Sequence, residues 1–181
     1  MSSEFTCKKS TVEKYDIRWN RGEWALFTID LETNTMQCHS SFGDYAYSWS
    51  SPGESFKRFL IGLEKDCGYL LNKVSRPVFD FDESIKRWKE MIIDYRRDGS
   101  IDKEAARDCW QVVVDCESYG VEEEGYCYSI VADSSTITEH FFDAWETFAG
   151  VKTFPAAAMT FGKVIWPMLC KVLREEQEQQ P

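Results

Sequence analysis

Residues 41–60, SFGDYAYSWSSPGESFKRFL, change their hydrophobic period once, at Pro52-Gly53. Ahead of that dipeptide Tyr45, Tyr47 and Trp49 alternate with Ala46 and Ser48, the period of two that a strand with one buried face requires. Beyond it Phe56, Phe59, Leu60 and Leu63 recur at helical spacing. A half-buried strand and a one-sided helix each need a partner for the apolar face, and a short turn places them side by side.

Three further runs precede this point. Tyr15, Ile17 and Trp19 alternate with Asp16, Arg18 and Asn20; Arg21-Gly22 supplies a turn; Trp24 to Ile29 is apolar on both parities. LETNT breaks that run, and Thr35 to Ser41 forms a third strand with Met36 and Cys38 on one face. Turns this short exclude parallel crossovers, so the four strands read as an antiparallel meander. The stripe from Phe56, continued by Tyr69, Leu70 and Leu71 past a break at Asp66 to Gly68, is its cover. Trp24, Phe27, Ile29, Phe56, Phe59 and Leu60 are expected to be buried together.

The rest reads as helical. Asp80-x-x-Glu83 resembles a capping box opening a helix with Ile85, Trp88, Ile92 and Tyr95 inward, ended by Asp98-Gly99. Residues 102–117 give the next, with Ala105, Cys109, Val112, Val113 and Cys116 inward. Tyr126 to Val131 reads as a short strand or extended loop. Ser135 caps a helix burying Ile137, Phe141, Trp145 and Phe148 and stopped by Gly150. A last helix begins near Pro155 and is kinked by Pro167, leaving EEQEQQP as a solvated tail. The expected fold is α+β: residues 12–75 as the meander and its covering helix, and 80–176 as a mainly helical half, within one domain over 1–181. No linker or repeat divides the chain, and its 181 residues suit one core.

Charge is distributed unevenly. Of the formal −10, all lies between Asp94 and Glu146, which hold 14 acids against the four bases Arg96, Arg97, Lys103 and Arg107. No Lys or Arg occurs between Asp108 and Val151. A field of this sign repels nucleic-acid phosphates and attracts basic surfaces. Asp115, Glu117, Glu122, Glu123, Glu124 and Asp133 are therefore the candidate partner-binding residues, and the partner is a protein with a basic surface. The longest unbroken apolar run is only a few residues, and MSSEFTCKKS lacks the apolar core of a signal peptide, so neither membrane nor export is expected.

Other chemistries find less support. His39 and His140 are the two histidines, and either with a cysteine is the minimal nucleophilic pair of a small enzyme. Cys38 and His39, however, are neighbours in a strand and point to opposite faces. The seven cysteines show neither a CxxC pair nor metal-ligand rhythm and read as buried thiols. Glu122 to Glu124 with Asp133 lack the calcium-loop pattern, and no glycine spacing makes a phosphate loop, so no metal or other cofactor is expected. Tyr45, Tyr47 and Trp49 read first as core packing, and where exposed as aromatic contacts for a partner protein; as a nucleotide or single-strand binding platform they lack the cations that track a backbone.

The order R-x-x-R-G-x-W-A-x-x-x-I-D from Arg18 to Asp30, then FGDYAYSW from Phe42 to Trp49, SFKRFL from Ser55 to Leu60 and IWP from Ile165 to Pro167 resembles small accessory proteins encoded by phages and prophages. The likeness is densest over residues 15–75. It implies a non-enzymatic protein of the host cytoplasm that binds and modulates a host protein, inhibition of a bacterial defence system being one such role. Acidic inhibitors of that kind occupy nucleic-acid channels, which fits the charge of residues 94–146.

Overall fold

The computed structural model describes residues 5–20, 22–53, 55–120 and 122–179. Four strands, β1 (Glu13–Trp19), β2 (Glu23–Asp30), β3 (Thr35–Ser40) and β4 (Gly43–Ser48), pair antiparallel in the order β1-β2-β3-β4. This is the expected meander. Arg21, half of the expected first turn, lies outside the described residues, as do residues 1–4 of the polar arm. The second turn is held by Asp30, whose carboxylate accepts the N–H groups of Glu32 at 2.9 Å and Thr33 at 3.2 Å.

Register puts Tyr15 opposite Phe27, Phe27 opposite Cys38, and Cys38 opposite Tyr45, all on one face. That face is covered by α1 (Phe56–Gly62), a 3-10 turn (Leu63–Lys65), α2 (Cys67–Val74) and the chain's last helix. The break foreseen near residue 66 is a cap: the Asp66 carboxylate accepts the Tyr69 N–H at 2.9 Å. Phe27, Ile29, Phe56 and Leu60 are buried and Phe59 half-buried, as the stripes require. Trp24 departs from the expected set. It stands on the outer parity of β2, with its ring edge-on to His39 at 4.8 Å.

The last helix joins the sheet rather than the helical half. It runs as α8 (Ala156–Thr160), a π-helical turn (Phe161–Ile165) and α9 (Trp166–Gln179). Pro167 offers no N–H to the Lys163 carbonyl four residues back, and the helix widens there into the π turn. Gly162 lets this turn approach α2: a Cβ on it would stand 2.7 Å from Cys67 Sγ. By length and composition alone Ala156–Gln179 is apolar enough to cross a membrane. Here Phe161, Ile165, Trp166, Leu169, Cys170 and Leu173 are buried in the core of the sheet, the place of a core helix. The expected solvated tail is helical through Gln179, and Glu176 is engaged with Tyr15 and Lys57.

The chain divides into two compact units, Met1–Arg76 with Phe154–Pro181, and Pro77–Thr153. The helical C-terminal half of the expected α+β fold is present, and its residues 77–153 are inserted in sequence between the two segments of the first unit. This second unit opens and closes on the paired strands β5 (Val78–Phe79) and β6 (Lys152–Thr153). Between them lie α3 (Phe81–Asp98), α4 (Lys103–Tyr119), α5 (Glu124–Val131), α6 (Ser135–His140) and α7 (Ala144–Thr147). The Asp80 carboxylate caps α3 through the Glu83 N–H at 3.1 Å, and Gly99 at φ 84 ends it in the left-handed region. Ile85, Trp88, Ile92, Cys109, Val113, Cys127, Ile137 and Phe148 fill a core of the unit's own.

Two expectations fail in this unit. Residues 124–131 are helical, not extended, because Cys127 and Val131 at spacing four face the core while Tyr126 and Ser129 face solvent. Residues 135–148 form two short helices, broken at Phe141, whose backbone turns extended at φ −123. The break rotates Trp145 out of the expected inward stripe and leaves it 54% exposed.

Candidate functional site

The aromatic strand is committed to the core. Tyr45 stacks on Phe161 with ring centroids 4.1 Å apart, and its hydroxyl donates to the Phe42 carbonyl at 2.8 Å. Trp49 packs against Phe56 and Phe59, and both Tyr45 and Trp49 are buried. Tyr47 is half-buried, with the Lys73 ammonium 5.3 Å from its ring centre. The first two have no free face for a base to stack on.

His39 is exposed on the outer face of β3, its Nδ1 bonded to the Asp44 carboxylate on the strand opposite. Cys38 points the other way, into the core. His140 ends α6, half-buried. Burial pushes the thiols of Cys38, Cys116 and Cys170 up to about 12 and that of Cys109 up to about 11. Cys127 is raised for the same reason. A thiol held protonated in an apolar core is a poor nucleophile. Among the described residues no group of three His, Cys, Asp or Glu is placed to hold a metal ion.

Five of the acidic candidates lie in the last turns of α4 and at the start of α5, and Asp133 lies just past the end of α5. Asp115, Glu117, Glu122, Glu123 and Asp133 are exposed, and Glu124 is half-buried. Their local roles differ. Glu122, Glu123 and Glu124 sit at the N-terminal, positive end of α5, which stabilises carboxylates. Glu117 lies in the last turn of α4, the negative end, where a carboxylate is disfavoured and no base is present to offset the helix dipole. Lys89 reaches across from α3 to pair with it. Glu124 pairs with Lys152 at 3.0 Å, and Asp115 accepts from the Gln111 amide at 2.8 Å. Glu122, Glu123 and Asp133 carry no ion pair among the described residues.

The Phage_phiTE_072 model, described as a phage family, matches residues 5–175. The chain belongs to this phage family. Its match takes in the sheet and also the helical insertion, across which the motif likeness is thin. No curated protein and no solved structure matches.

In this phage protein, sequence patterning missed the aromatics that stand among the acids. Tyr119, Tyr126, Phe142 and Trp145 are exposed, Phe142 fully so. Tyr119 and Tyr126 meet edge to face at 6.4 Å, and Trp145 stacks on Tyr128 at 5.1 Å. Tyr128 is itself fixed, its hydroxyl accepting the Gly150 N–H at 2.9 Å. The signal in the sequence was Phe142 itself, an aromatic that lies off the helical stripe Ile137, Phe141, Trp145 and Phe148.

Proposed function

We propose that this phage protein is a non-enzymatic accessory protein that binds and modulates a host protein in the host cytoplasm, through the acidic face of residues 115–146. The observation that carries this reading is the mixture of exposed carboxylates and exposed aromatics within that segment. Exposed carboxylates alone keep a protein soluble. Exposed Tyr, Phe and Trp among them work against solubility, and they are the residue types that anchor protein interfaces.

Charge placement supports the same reading. Residues 77–153 hold 18 acids and 8 bases, while the remaining residues balance at 13 of each. Concentrating the whole net charge in one unit costs self-repulsion, and Glu117 sits against its own helix dipole. The partner that fits is a basic surface with apolar pockets. Host defence effectors that grip nucleic acid present such surfaces, and blocking one would make the protein an inhibitor of defence.

The test is comparative capture from infected host cells with two baits, the native chain and Glu122→Gln/Glu123→Gln/Trp145→Ser. A host protein held by the first and lost from the second, at equal fold content by circular dichroism, is the expected outcome. Identical captures by both baits would sink the proposal.

A further inference from the structure

The four bases of the acidic segment, Arg96, Arg97, Lys103 and Arg107, line a single groove of about 320 Å³ between α3 and α4. Its floor is apolar, from Ile93, Ala106 and Trp110. Arg97 is paired with Asp94 at 3.3 Å. Arg96, Lys103 and Arg107 have no carboxylate within ion-pair distance among the described residues, although acids are abundant nearby. Two of those acids are occupied with the backbone. Asp98 accepts the Ser100 N–H at 2.8 Å, and Asp102 accepts the N–H groups of Glu104 and Ala105 at 2.9 Å each. Lys103 also opens α4. A cation there opposes the positive end of the helix, so its position does not serve helix stability.

From this geometry we infer a second docking surface, of opposite sign to the first: the α3–α4 groove takes an acidic amphipathic helix of a partner protein. α3 and α4 are joined by a turn of four residues and form an antiparallel pair with two grooves. Cys109, Val113 and Cys116 face the unit's core on one side. Among the described residues the other groove is lined by α3 and α4 alone. From Lys103 to Trp110 it runs about 10 Å, two helical turns, which suits apolar side chains at i, i+4 and i+7 on the floor, with acids meeting the guanidinium groups at the rim.

Charge complementarity selects this occupant. An extended nucleic acid would leave three bases for the surrounding carboxylates and be repelled. The chain's own acidic tail is engaged elsewhere, through Glu176 on Lys57. This inference is independent of the acidic face and stands or falls without it.

The probe is a labelled synthetic helix of four turns with Leu on one face and Glu on its flanks, followed by fluorescence anisotropy. Controls are the same peptide with Lys for Glu, a polyglutamate and a single-stranded oligonucleotide. The Leu/Glu helix should bind in a salt-sensitive manner, and weaken about tenfold on either Arg96→Gln/Arg107→Gln or Ile93→Ser, both at exposed positions. The inference is overturned by no binding at millimolar peptide. It is equally overturned by polyglutamate or oligonucleotide binding as tightly, by full affinity in both variants, or by self-association of the native chain that Arg96→Gln/Arg107→Gln abolishes.

Discussion

The Lys57 ammonium lies 2.9 Å from Glu176 Oε2, joining α1 to the far end of α9 across 119 residues of sequence. The same ammonium is 2.6 Å from Glu13 Oε2 on β1. The Tyr15 hydroxyl stands 2.5 Å from Glu13 and 3.0 Å from Glu176, and donates to one of them at a time. Lys57 is only 15% exposed, so both carboxylates are needed to offset the loss of its hydration. The cluster ties the first strand, the covering helix and the last helix together at one corner of the sheet.

Lys57→Met is therefore expected to cost about 2 kcal/mol, the range for hydrogen bonds to charged groups, because it leaves Glu13 and Glu176 facing each other. Burial opposes the charge of Glu13, but Lys57 and the Tyr15 hydroxyl outweigh it and hold the carboxyl below its ordinary value. A lowered carboxyl contributes stability that is fully present above about pH 4.3 and is lost as pH falls through the folded value. Burial likewise opposes the Lys57 charge, and the two carboxylates overcome it and raise its pKa, so that contribution survives until well above about pH 10. Urea midpoints of the native and Lys57→Met chains should differ at neutral pH and converge toward about pH 3. Equal midpoints at neutral pH would show the cluster to be ornamental.

The meander and its cover were legible because β1, β3 and β4 alternate and each turn is too short for any other pairing. The partner of the last helix was not legible, because periodicity shows which face is apolar and not what it meets. Tyr45 and Phe161 are separated by more than a hundred residues, and nothing local in either segment encodes their stacking at 4.1 Å. Trp24 failed for another reason: β2 is apolar on both parities, so alternation could not say that its ring would face outward beside His39. The acids of the candidate face were legible as composition. The exposure of Trp145 was not, since it depended on a helix break at Phe141.

Phe161→Ala should destabilise by about 3–5 kcal/mol, the range for emptying a buried aromatic site. Phe161 is fully buried between Tyr45, Phe27 and Trp166, so no solvent-facing part softens the loss. Phe59→Ala, at a half-buried ring, should cost less. Gly162→Ala should also destabilise, since its methyl would meet Cys67 Sγ at 2.7 Å and Leu71 Cδ2 at 3.1 Å. Cys67→Ala in the same chain should recover part of that loss. Denaturant titration of the single and double variants tests both points, and additive effects would argue against the contact.

Thiol and imidazole chemistry offers a separate check on the non-enzymatic reading. Cys7 is exposed, Cys67 is half-exposed, and the other five cysteines are buried. A chromogenic disulfide reagent should titrate Cys7 quickly, Cys67 slowly and the rest only after denaturation. His39→Ala/His140→Ala should leave partner capture intact, because recognition needs no proton transfer from either imidazole. A fast-reacting core thiol, or a folded double variant that has lost all biological effect, would move the case to catalysis.

The acidic face and its aromatics should separate in the kinetics of partner binding. Glu122→Gln/Glu123→Gln removes long-range field but little contact, so association should slow and its dependence on salt should flatten, with dissociation nearly unchanged. Stability should hardly move, since neither carboxylate has an ion pair among the described residues to lose. Trp145→Ser removes a rigid anchor resting on Tyr128, so it should instead speed dissociation while leaving the salt slope as it was. Surface plasmon resonance on the captured partner at several ionic strengths distinguishes the two. If neither variant changes either rate, the face is solvated surface and the partner docks elsewhere. If only the glutamine variant acts, carboxylates steer an encounter whose anchor lies outside residues 115–146.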